Sequence, residues 1–112
     1  VHYMLRKMTS MMDRLMVYPD NMMRNLEKTG GLIFSQSVLL ALVRKGITRE
    51  EAYSLVQKNA MQSWTQGKDF LTLLKKDKSI RKLLSAGEID KTFKLKTQFK
   101  NIDRIFKRVF KK

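Results

Sequence analysis

Apolar side chains at Val1, Met4, Leu5, Met8, Met11, Met12, Leu15 and Met16 recur at the i, i+3, i+4, i+7 spacing of an amphipathic helix. No capping residue precedes this stripe, so residues 1–17 are expected to be the end of a longer helix. At about 1.5 Å per residue this stretch is about 25 Å long. Pro19 ends it and suits the start of a second helix, with Asp20 complementing the helix dipole. That second helix is expected to run to Lys28. The pair Gly30–Gly31 then allows the positive φ values of a helix C-terminus. A third helix is predicted over Leu32–Lys45, apolar nearly all round and therefore the central, most buried one, and Gly46 stops it.

Thr48-Arg-Glu-Glu51 has the form of a capping box opening a fourth helix that runs to Gln66, where Gly67 closes it. Ala52, Leu55, Val56, Asn59, Ala60, Ser63 and Trp64 share one face of that helix. Asp69 is placed to cap a short helix through Lys75, and another short helix is expected over Ser79–Leu84. Ser85-Ala-Gly-Glu88 is a second capping box, opening a turn or two through Phe93. Phe99, Ile102, Ile105, Phe106, Val109 and Phe110 stand at helical spacing in a last helix, with its phenylalanines assigned to core. No stretch alternates with period two, so no sheet is expected and the chain is all-α.

A length of 112 residues suffices for one domain, which at this size buries roughly 65% of its unfolded surface. There is no cysteine, hence no disulfide framework and no thiolate metal site. No run of about 18 apolar residues occurs, so no membrane partner is expected. Charges interrupt the N-terminal stripe, unlike a signal peptide. A start at Val1 rather than at a methionine is expected of a fragment or a processed product.

The formal net charge is +14, unevenly spread. Residues 1–64 hold 9 basic and 5 acidic side chains, residues 65–112 hold 15 and 5. Such a basic half attracts polyanions or coats solvated helix faces. Sixteen of the 24 basic residues are lysine, which favours solvated faces over the bidentate arginine contacts of a phosphate or base reader. Seven of the eight methionines fall in the first 23 residues. A methionine stripe serves an adaptable peptide groove or ordinary core and subunit packing, and its helical period favours packing.

Candidate chemistry is sparse. His2 is the one histidine, and no His–carboxylate pair surrounds any serine, so no nucleophile assembles. Ser35 belongs to the first turn of the third helix. Glu50 and Glu51 are adjacent and point to different sides of their helix. No metal-ligand spacing occurs, and Gly30–Gly31 matches no phosphate-loop pattern. No catalytic, substrate-binding or metal residue and no cofactor is assigned. Basic residues interleave with Phe93, Phe99, Phe106 and Phe110, so the alternative reading is a standalone basic helical module that binds nucleic acid.

YPDNMMRNL at Tyr18–Leu26, TGGLIFSQ at Thr29–Gln36, VLLALV at Val38–Val43, TREEAY at Thr48–Tyr53, NAM at Asn59–Met61 and NIDRIFKRVF at Asn101–Phe110 occur in an order and spacing that are specific together. The chain resembles, over nearly its whole length, the C-terminal part of the adenylosuccinate lyase family, within the fumarase/aspartase superfamily. It departs from the family pattern at Ser37, where members often carry arginine, and in its lysine-rich ending.

The resemblance implies that residues 1–17 end a long helix of a central bundle domain and that residues 18–112 form a compact, small, multi-helix C-terminal domain. It implies a cytoplasmic homotetramer of purine biosynthesis, with the rest of the lyase chain and the other subunits as partners and a polyanionic nucleotide substrate. The family's reaction is a β-elimination that cleaves adenylosuccinate to AMP and fumarate, and the succinyl-carboxamide ribotide likewise. Its base is a serine in the stretch SSxMPxKxNP and its acid a histidine of another segment, with each site drawing on three subunits. Neither motif occurs in this chain, so the 112 residues are expected to be inactive alone.

Overall fold

The computed structural model describes residues 1–110. The N-terminal stripe forms helix α1 (His2–Asp13), which ends four residues before its periodicity suggests. The physical reason is that α1 buries none of its residues, so no tertiary contact holds a last turn across Arg14–Val17. Helix α2 (Pro19–Glu27) starts on its proline, and its last carbonyls lead into the glycine pair. Gly30 and Gly31 both take positive φ, and the chain bends by 79° between α2 and the apolar run that follows.

That run opens as a 3-10 turn, Leu32–Phe34, and continues as α3 (Ser35–Val43). Val38, Leu39 and Leu42 of α3 are buried while Leu40 and Ile33 are exposed, so α3 is not enclosed all round as its composition suggests. Helix α4 (Arg49–Gln66) carries the expected capping box. The Thr48 hydroxyl accepts from the Glu51 N–H at 3.2 Å, and the Glu51 carboxylate accepts from the Thr48 N–H at 2.9 Å. Then come α5 (Phe70–Lys76), α6 (Lys78–Leu83) and α7 (Ala86–Thr92), capped by Asp69, Asp77 and Ser85 respectively. Two further helices follow, α8 (Leu95–Gln98) and α9 (Ile102–Val109).

The core lies among α3, α4, α5, α6 and α7. Val38 and Leu42 meet Ala52 and Val56 of α4, Phe70 and Leu74 of α5, Ile80 of α6, and Leu84 and Ile89 around the start of α7. Helix α5 shares the centre with α3, because it packs on α4, α6 and α7 while α3 packs on α4 and α7. Phe93 sits between Phe34 and Phe70, its ring 5.0 and 6.0 Å from theirs. Gly31 lies directly beneath: a Cβ there would stand 2.9 Å from Phe93 Cε1, at a φ of +86° that side chains rarely adopt. The Gly30 carbonyl accepts the Phe70 N–H at 3.1 Å, so the glycine turn is also stitched to the start of α5.

The ends of the molecule are open. No residue of α1, α2, α8 or α9 is buried. The radius of gyration is 19.1 Å, against about 13 Å for a closed domain of this length. Phe99, Phe106 and Phe110, assigned to core from their spacing, are exposed, because no other element covers α9. The α1 methionine stripe is exposed for the same reason. Trp64 is also turned out, 75% exposed, while Asn59 and Ser63 on the same helix are buried against Asp77, the Lys68 carbonyl and Gly30. Among the described residues there is no strand, and no single helix is long and apolar enough to cross a membrane.

Candidate functional site

The polar residues of the core gather at one place. Asn59 and Ser63, both on the inner face of α4, are the buried polar side chains of the core. The Asn59 amide donates to the Leu55 carbonyl and to Asp77 Oδ2, each at 2.9 Å. Two acceptors at one atom require that atom to be the amide nitrogen. The Ser63 hydroxyl donates to the Lys68 carbonyl at 2.6 Å. These bonds fasten α4 to the start of α6 and to the α4–α5 turn.

Between these elements opens a cleft of about 660 Å³. Lys58 and Gln62 of α4 form one wall, Lys68 and Asp69 of the turn the end, and Thr72 and Lys76 of α5 with Lys78 and Ser79 of α6 the other wall. Both carboxylates are already engaged. Asp69 Oδ2 accepts from the Thr72 N–H and hydroxyl at 2.9 and 2.8 Å, and Asp77 Oδ1 accepts from the Ser79 N–H at 2.8 Å. Burial raises the Asp77 pKa, but the Asn59 amide, the Ser79 and Ile80 N–H groups and the Lys58 charge outweigh it, and the value stays below that of an ordinary aspartate.

A second hollow, about 440 Å³, lies where α3, α7 and α8 meet. There the Gln98 amide donates to the Ser37 hydroxyl at 2.5 Å, tying α8 back to α3. Lys45 at the end of α3 pairs with Glu88 of α7 at 2.6 Å, and Lys75 of α5 with Asp90 of α7 at 2.6 Å. Glu88 also closes the second capping box, accepting from the Ser85 N–H at 2.9 Å. The Lys45 hydrogen bond, then the Ser85 N–H and hydroxyl, lower its pKa from 4.5 to about 2. A depressed carboxyl pKa contributes stability above the unfolded value, and that contribution is lost as pH falls through the folded one. Thermal stability should therefore decline between about pH 4.5 and pH 2, and Glu88→Gln should flatten part of that decline in melts recorded across this range.

The residues weighed for chemistry stay apart. His2 is exposed at the start of α1, Ser35 is the first residue of α3, and Glu51 is consumed by its capping box. No group of three metal-ligating side chains occurs among the described residues. The cleft itself was not legible from spacing, because its lysines come from different elements. The available signal was the pair Asn59 and Ser63 on a mostly apolar helix face.

Fold and site thus define a small all-α domain with a tightly fastened polar cleft and with apolar helix faces exposed at its ends. Residues 31–109 match the family described as Adenylosuccinate lyase C-terminus. Over 109 residues the chain is 47% identical to the adenylosuccinate lyase of a Synechocystis species, a match that covers 96% of this chain and 25% of that enzyme. The chain belongs to the adenylosuccinate lyase C-terminus family. It spans about a quarter of the length of the curated relative it matches. Neither match supports a standalone nucleic-acid-binding module.

Proposed function

We propose that this chain works as the C-terminal domain of an adenylosuccinate lyase, a cytoplasmic homotetramer that cleaves adenylosuccinate to AMP and fumarate by β-elimination. The succinyl-carboxamide ribotide is its second substrate. The observation that carries this reading is the 47% identity over 109 residues to an enzyme of that name. In this role residues 1–17 join the central helical bundle and residues 18–112 form the domain that buttresses it. The domain supplies no proton-transfer group; the base and acid come from the rest of the chain. Its positive charge draws the polyanionic substrate toward the enzyme.

The exposed apolar faces support the same reading. The α1 stripe and the α9 stripe of Ile102, Ile105, Phe106 and Val109 have nothing to pack on within the described residues, and the relative is four times longer than the matched segment. The missing partner is the remainder of the lyase polypeptide.

The test is fumarate release. The 112-residue chain alone should release none. A chimera in which it replaces the corresponding quarter of the Synechocystis enzyme should be active. Turnover by the chain alone, or a soluble, folded but inactive chimera, would overturn the reading.

A further inference from the structure

The geometry points to a second ligand site, independent of the lyase chemistry: the cleft between α4, α5 and α6 binds a compact polyphosphate through Lys58, Lys68, Lys76 and Lys78.

Its size comes first. At about 660 Å³ it falls within the roughly 300–1,000 Å³ of small-molecule sites. Its lining carries four lysines against two carboxylates, Asp69 and Asp77, a net of +2. Four lysines from α4, the α4–α5 turn, α5 and α6 line one concavity, and none makes an ion pair among the described residues. The two carboxylates present, Asp69 and Asp77, are turned to the capping N–H groups of α5 and α6. Lys45 and Lys75, by contrast, each have a carboxylate at 2.6 Å. Like charges around a cleft focus the potential inside it and draw anions there.

The walls are also held in place. The bonds from Asn59 to Asp77 and from Ser63 to the Lys68 carbonyl are partly buried and start from buried side chains, so the backbones carrying Lys58, Lys68 and Lys78 keep their spacing. Gln62 and Ser79 add neutral donors on the two walls. Lysine is a compact point charge without the planar fork of arginine, which suits a multiply charged phosphate chain that presents oxygens in all directions.

The protein carries its own reporter. Trp64, its sole tryptophan, lines an adjoining hollow that shares Lys68 and Asp69 with the cleft. Sodium tripolyphosphate titrated into the 112-residue protein should change Trp64 fluorescence saturably, with one equivalent bound by calorimetry. Binding should weaken as salt shortens the screening length. Replacing Lys58, Lys68, Lys76 and Lys78 together by glutamine should weaken it by about tenfold or more. Lys94, Lys96, Lys100 and Lys107 do not line the cleft, and replacing them by glutamine removes the same charge and should leave affinity within about twofold. All eight positions are exposed, and far-ultraviolet circular dichroism verifies that both variants stay folded.

Three outcomes would overturn the proposal. One is the absence of stoichiometric binding by both readouts. Another is an equal loss in the two variants, which would mean diffuse attraction to a +14 chain. The third is tighter binding of a single-stranded oligonucleotide with the same number of phosphates, lost in the cleft variant.

Discussion

Replacing Phe70 by alanine will lower the unfolding free energy by about 3–5 kcal/mol, the usual cost of deleting a fully buried phenyl ring. Phe70 has no exposed surface, and its ring lies 6.0 Å from that of Phe93. Its neighbours cannot collapse into the space. Phe93 is pinned between Phe34 and Gly31, and the start of α5 is tied to the Gly30 carbonyl. A domain of this size is held by about 5–15 kcal/mol, so the loss consumes a large share of its stability. At about 4 °C per kcal/mol the melting temperature should drop by roughly 12–20 °C. Urea and thermal unfolding followed by circular dichroism measure both quantities. Trp64→Ala is the internal control, because a side chain this exposed should change stability by no more than about 0.5 kcal/mol. A loss below about 1 kcal/mol for Phe70→Ala would mean that α5 does not centre the core.

The contrast between Phe70 and Trp64 also separates what the sequence makes legible from what it does not. Signals that act within a few residues are reliable here. Both capping boxes form with the residues their spacing indicates, and the glycine pair turns the chain where expected. Asp77 is a local signal of a subtler kind: it ends α5 and caps α6 from the same position, so α6 begins at Lys78 rather than Ser79. Helix α8 has no cap bond and no apolar period, and it is tied to α3 by Gln98 and Ser37, 61 residues apart. Periodicity gives the direction in which a face points. It does not say whether another element arrives to cover it. Ser63 and Trp64 are neighbours on α4, yet Ser63 is buried beside Gly30 and the Lys68 carbonyl while Trp64 is exposed. The same limit governs the site. Each lysine of the cleft looks like an ordinary solvated charge along the chain, and only the packing of α4, α5 and α6 brings the four around one hollow. Charge composition alone, and its lysine bias, pointed to solvated faces because it carries no information about convergence.

Substituting Ile105 and Phe106 by glutamate should leave the 112-residue chain as stable as before and disable the chimeric lyase. Both side chains are 57% exposed, so their loss removes little packing, and surface changes of this kind fall within about 0.5 kcal/mol. The face they belong to is another matter. Ile102, Ile105, Phe106 and Val109 repeat at i, i+3, i+4 and i+7, Phe106 stacks on Phe110 at 5.7 Å, and Arg104, Lys107 and Arg108 lie between them in sequence toward the other side. Fully burying such a side chain stabilises by roughly 1.5–3 kcal/mol, and about half of that remains to be gained by residues this open. Four of them together supply several kcal/mol of docking once the rest of the polypeptide covers the helix. Two carboxylates set into that contact would be buried without partners, at a cost of about 3–5 kcal/mol. That corresponds to docking weaker by a factor of about a hundred to several thousand. The chimera carrying both substitutions should therefore lose fumarate release and melt below the unsubstituted chimera, while the isolated variant melts at the wild-type temperature. An active, assembled chimera would show that α9 faces solvent in the enzyme, leaving α1 as the end that docks.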